Sequence, residues 1–183
     1  MVWGILYHAV VVVLVALFTL SALLKLAAPR EFIKLVQAYD VLPRRMATVY
    51  GAVLPFAEAT GAVLLVNEKT SLSGAMLLCV LLLGFGYAVY TVVKTGRHVQ
   101  CACYGRFFEV EADRFTLWKT VLLIVFALLT AAFRDRLWVG FSGPAVLFGL
   151  YMTTLILLAQ KVWISYRKAW RVLTETERPG ESG

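Results

Sequence analysis

Two cysteines stand one residue apart in the stretch HVQCACYGRFF, residues 98–108. Thiols so spaced could form a reversible disulfide. Extended i and i+2 positions lie near or beyond the usual bridging reach, so Cys101 and Cys103 need a turn. Ala102 and Gly105 are small enough to allow one. A strained bridge is easier to reduce, which favours an exchanging disulfide over a structural staple. Arg97 and Arg106 flank the pair and would stabilise thiolate, the form that attacks and that binds metal. Three readings stay open on these residues alone. The pair is a redox couple; or His98, Cys101 and Cys103 hold copper(I) or part of a zinc site; or the cysteines are ordinary small residues in a turn. Glu109 and Glu111 share the loop, but a closed structural zinc site is not expected. Cys79, set among leucines, reads as a small buried hydrophobe.

Glu58 is the one charged residue in the apolar stretch from Met46 to Val66. Counted from Met46, it lies about 18 Å along a helix, near the middle of a hydrocarbon layer about 30 Å thick. A carboxyl there is costly to ionise and should face other helices. It could relay a proton beside a redox step. Alternatively it sits neutral, hydrogen-bonded to Thr60, Thr19 or Ser21, and fixes helix packing. Pro55, one turn earlier, frees a backbone carbonyl that could help satisfy it. Lys25 is expected to snorkel to the membrane surface, reaching Glu58 only in a slipped register.

The elements that must position these residues are membrane spans. The 183 residues are 61% hydrophobic and 16% charged, with a mean hydropathy of +0.78, where a soluble domain is about half apolar and about a quarter charged. Apolar blocks at about 2–24, 46–66, 72–93, 115–133 and 138–160 are each close to the length that crosses a bilayer. Unpaired backbone groups cannot face lipid, so the blocks should be helical. The expected fold is all-α: a polytopic transmembrane helical bundle of five spans, a four-helix core plus one. It forms one domain over 1–163, with the cysteine loop at 94–114 and a tail at 164–183. Between spans one and two, PREFIKLVQAYDVLP carries Phe32, Leu35, Val36 and Tyr39 at helical spacing. This predicts a short interfacial helix with its apolar side toward lipid or toward the bundle. NEKTSLS is a short polar turn, and RDRLWVGFSGP a loop with Trp138 at the membrane surface. The tail from Ile164 begins as a basic amphipathic helix with Tyr166 and Trp170.

The net charge of +7 does not point to nucleic acid. Fifteen of the 18 lysines and arginines fall on one alternating side of the five spans, as basic residues retained in the cytoplasm do. The amino terminus is therefore expected outside, and the carboxyl terminus and cysteine loop inside. The first span lacks a basic start and a small-residue cleavage site, so it reads as a retained anchor.

Three stretches in order, SALLKLAAPREFIKLVQAYDVLP, VLPFAEATGAVLLV and CACYGRF, resemble the MauE branch of the MauE/DoxX redox-associated membrane proteins. Lys25, Pro29, Tyr39, Pro43, Pro55, Glu58, Gly61, Cys101, Cys103 and Gly105 fall on that family's pattern. Ala102 and Tyr104 depart from its Cys-Gly-Cys-Phe-Gly loop, and alanine narrows the turns open to the pair. The resemblance implies a bacterial inner-membrane protein of methylamine utilisation. It would support maturation of methylamine dehydrogenase through disulfide formation in the small subunit. The implied partners are a thioredoxin-like protein or that subunit, beside the lipid bilayer. Such a role concerns the periplasm, whereas the charge count puts the cysteines inside. Either electrons cross the bundle or one span is misplaced.

Two function classes follow. In the first, Cys101 and Cys103 exchange disulfides as a thiol–disulfide oxidoreductase would, Glu58 moves a proton, and a quinone serves as acceptor, although no sequence feature marks its pocket. In the second, the chain is a non-catalytic assembly or metal-handling factor whose cysteines bind copper or zinc. Solute transport is the weaker third, because one intramembrane charge and no pair of broken helices are present.

Overall fold

Long apolar runs with few breakers close their backbone hydrogen bonds internally, and in this chain they do so as helices. A computed structural model describes residues 2–96, 99, 114–137 and 143–176. Among the described residues there are six helices and no strand: α1 (Val2–Ala27), α2 (Pro29–Ala38), α3 (Arg44–Val66), α4 (Ser71–Thr95), α5 (Arg114–Leu137) and α6 (Gly143–Thr176). Five of these, all but α2, are long and apolar enough to cross a membrane. Pro55 sits inside α3 without ending it.

The helices α1, α3, α4 and α5 form the four-helix core, and among the described residues α6 packs mainly against α1. That is the expected core plus one. Two glycines set the spacing. A Cβ on Gly74 of α4 would lie 2.8 Å from the Leu65 nitrogen and 2.9 Å from the Gly61 carbonyl oxygen on α3. On α6, a Cβ at Gly149 would lie 2.6 Å from Cβ of Val12. Both contacts bring backbones together, as close-packed membrane helices require.

The core falls into two clusters. One joins Tyr7, Leu14 and Phe18 of α1 to Leu65 of α3 and to Leu78 and Cys79 of α4. Cys79 is thus the buried hydrophobe its leucine surroundings suggest. The other cluster lies toward the ends of α4 and α5 that the cysteine loop connects. It holds Phe32 and Tyr39 with Leu54, Val89 and Val92, and Leu35, Val36 and Val99 pack against it. The apolar side of α2 therefore faces the bundle rather than lipid. On the outside, Val49, Val53, Phe56 and Val63 of α3, and Met76, Val80, Leu83 and Tyr87 of α4, form exposed stripes suited to acyl chains.

The chain turns where local chemistry demands it. Ala28 leaves helical geometry, Pro29 starts α2 at the position proline tolerates, and Asp40 takes a left-handed φ of 54° before α3. Between α3 and α4, the Asn67 side chain accepts from the Lys69 amide at 3.1 Å. Helix α5 runs on to Leu137, so Arg134 and Arg136 fall on its last turn rather than in the expected loop. Cations are favoured at that helix end. The span start expected at Trp138 lies outside the described residues. Helix α6 runs through 163–164 without a break.

Candidate functional site

Ser21 and Lys25 lie one helical turn apart, on one face of α1. Opposite them, α3 presents Glu58. The Lys25 ammonium donates to Glu58 Oε1 in a salt bridge, and the Ser21 hydroxyl donates to Oε2 at 3.2 Å. Both carboxylate oxygens are thus satisfied from one neighbouring helix. The pair is sequestered: Lys25 is 3% exposed and Glu58 7%. An unpaired charge in such surroundings is very costly, and a hydrogen-bonded pair recovers much of that cost. Lys25 is also in the last turn of α1, where the helix dipole favours a cation.

The break at Ala28–Pro29 completes the site. It lets α2 leave the α1 axis so that Phe32, itself buried, brings its ring centroid to 5.2 Å from Lys25 Nζ. The ring face both attracts the cation and shields it from water. On α3, Pro55 has no amide hydrogen and removes the helix bond to the Gly51 carbonyl one turn before Glu58. Beside the pair lies a cavity of about 60 Å³, bordered by Ser21, Lys25, Glu58 and Lys119 with leucine and phenylalanine walls. The arrangement joins α1 to α3 through a sequestered ion pair beside a mostly apolar cavity.

Sequence reasoning located Glu58 but not all of its partners. Of the three hydroxyls considered, only Ser21 reaches it. Thr60 donates to the Phe56 carbonyl at 2.8 Å on the exposed side of α3. Thr19 borders a separate apolar groove. Lys25 does not snorkel away. It meets Glu58 without any slip, because α1 and α2 together run antiparallel to α3, with Gln37 bonded to Thr48 at the far end. Lys119 of α5 also borders the cavity. The i, i+4 spacing of Ser21 and Lys25 was the available signal. Cys101, Cys103 and His98 lie outside the described residues. Among the described residues, no group of three or more histidine, cysteine or acidic side chains could hold a metal.

A five-span helical membrane protein with a buried ion pair is the class that this fold and site define. Residues 3–133 match the family described as "Methylamine utilisation protein MauE", and the chain belongs to it. It is 32% identical over 119 residues to the Methylamine utilization protein MauE of Paracoccus denitrificans, an alignment covering 64% of each chain. The chain thus spans a little under two thirds of that relative. No solved structure matches it.

Proposed function

We propose that this protein acts in methylamine utilisation as a membrane thiol–disulfide exchanger. Cys101 and Cys103 carry the exchange, and Glu58 manages its protons. The partner is a protein thiol or disulfide, either a thioredoxin-like protein or the small subunit of methylamine dehydrogenase. In each exchange a thiolate attacks a disulfide sulfur, so one S–S bond forms as another breaks. Two electrons and two protons pass from the dithiol to the disulfide. The membrane is the bacterial inner membrane, with the amino terminus outside and the carboxyl terminus in the cytoplasm.

One observation supports this reading above the others. Phe32, which covers the Lys25–Glu58 pair, shares its cluster with Val99. Val99 packs against that cluster and precedes Cys101 by two residues in the sequence. In this reading Glu58 accepts a proton released on thiolate formation, and Lys25 stabilises the carboxylate whenever it is ionised. A fully satisfied pair would equally suit a structural clamp, in an assembly factor whose cysteines bind copper(I) or zinc.

Alkylation after mild oxidation tests the proposal. Cys101 and Cys103 should become protected together, and the double serine variant should lose methylamine-dependent growth. Independent free thiols under every condition, with growth retained, overturn the exchange role. Stoichiometric copper or zinc lost in the same variant would favour the assembly reading. A membrane-impermeant thiol reagent on intact cells reports which side the pair faces.

A further inference from the structure

We infer that the buried pair is a one-sided proton switch: Glu58 takes the proton on Oε2, Ser21 turns its hydroxyl to receive it, and Lys25 stays charged throughout. The inference rests on the reading of Glu58 as the group that manages protons, and it makes Ser21 the positioning residue of that group.

The two carboxylate oxygens have different neighbours. Oε1 receives the Lys25 ammonium, which carries three donor hydrogens and no lone pair. A proton placed on Oε1 would point at another donor. Oε2 faces the Ser21 hydroxyl at 3.2 Å, and a hydroxyl can both donate and accept. With Glu58 ionised, Ser21 donates to Oε2. With Glu58 neutral, the new O–H on Oε2 donates to Ser21 Oγ at the same separation. The reversal asks for rotation of one hydroxyl hydrogen and no shift of either helix. One proton is gained, one O–H bond forms, and no electron moves.

Support for the two charges is equally lopsided. When Glu58 is neutral, Lys25 keeps the Phe32 ring, 5.2 Å from Nζ, and the carbonyl end of α1, in whose last turn it lies. Glu58 sits in the interior of α3, far from the amino-terminal end where a helix dipole favours an anion. Neutralisation therefore falls on the carboxylate. Two other ionisable groups face it. Lys119 of α5 is on the cavity wall, and Tyr50, about two turns earlier on α3, is electrostatically coupled to Glu58. From α4 the cavity receives Leu81, Leu82 and Phe85, none of them ionisable. Lys119 and Tyr50 bear on the pH at which the proton arrives; the hydrogen bonds choose the oxygen that takes it.

Infrared difference spectroscopy of the full-length chain in lipid, titrated from neutral to acid pH, reads the switch. The wild type should gain a carboxyl C=O band that is absent in Glu58→Gln. Ser21→Ala should move that band to higher frequency, because the acid proton loses its acceptor, and Ser21→Thr should return it to the wild-type position. Nitrogen-15 resonance of labelled lysine should show Lys25 as an ammonium on both sides of the transition. Circular dichroism confirms that each variant is folded. A wild type with no Glu58 band at any pH at which it is folded overturns the switch, as does a band that Ser21→Ala leaves in place. A Lys25 amine in place of the ammonium also overturns it. The band should persist in the double variant Cys101→Ser with Cys103→Ser, so failure of the thiol exchange and failure of the switch are read separately.

Discussion

Lys25 and Glu58 form a salt bridge between α1 and α3 in which neither partner has appreciable contact with solvent. The pair ties the first half of the bundle together at the level where α1 gives way to α2. Its geometry implies coupled energetics. Lys25→Met or Glu58→Met alone should cost about 3–5 kcal/mol, because each leaves a buried charge uncompensated. The double variant should recover most of that loss. Unfolding of the four proteins in mixed micelles measures the coupling, and simple additivity would mean the pair is not a unit.

Phe32 covers Lys25. Phe32→Ala should destabilise by about 3–5 kcal/mol, from the lost burial of an aromatic ring. Phe32→Leu keeps most of the apolar volume but removes the ring face, so it should cost less, with a residue of about 0.5–2 kcal/mol attributable to the cation. Hydrogen exchange should quicken through α2 and the end of α1 in the alanine variant and remain unchanged in α5.

Gly74 admits no side chain, because the atoms in the way are the backbone of α3. Gly74→Ala should therefore destabilise by about 1–3 kcal/mol through overpacking. Gly84, on the same helix, meets only the Tyr50 hydroxyl at 3.5 Å. Gly84→Ala should be neutral or stabilising, since alanine favours helix over glycine. Thermal unfolding of the two variants side by side checks the contrast.

Tyr7 reports on the opposite end of the bundle. Its hydroxyl donates to the Thr130 carbonyl at 3.1 Å, linking α1 to α5. Tyr7→Phe should cost about 0.5–1.5 kcal/mol. Combined with Lys25→Met it should add within about 0.5 kcal/mol, because the two sites share no partner. A larger interaction would show that α1 transmits changes between its ends.

The spans, the short helix after the first of them and the isolated carboxyl of Glu58 could all be read from the linear chain. Each follows from local properties: run length, apolar spacing, and a charge where lipid-facing residues should be. Helix ends were less legible. The last turn of α5 is mostly charged, and the α6 helix carries on past the apolar run into basic sequence. The cysteine pair remains a reading of sequence, since it lies outside the described residues. Only the packed bundle could decide which groups meet Glu58. The partnership with Lys25 depends on the antiparallel register of α1 and α2 against α3, the cover by Phe32 on the turn at Ala28–Pro29, and the arrival of Lys119 on α5 packing against α4. Such contacts join residues far apart in the chain, and no local periodicity encodes them.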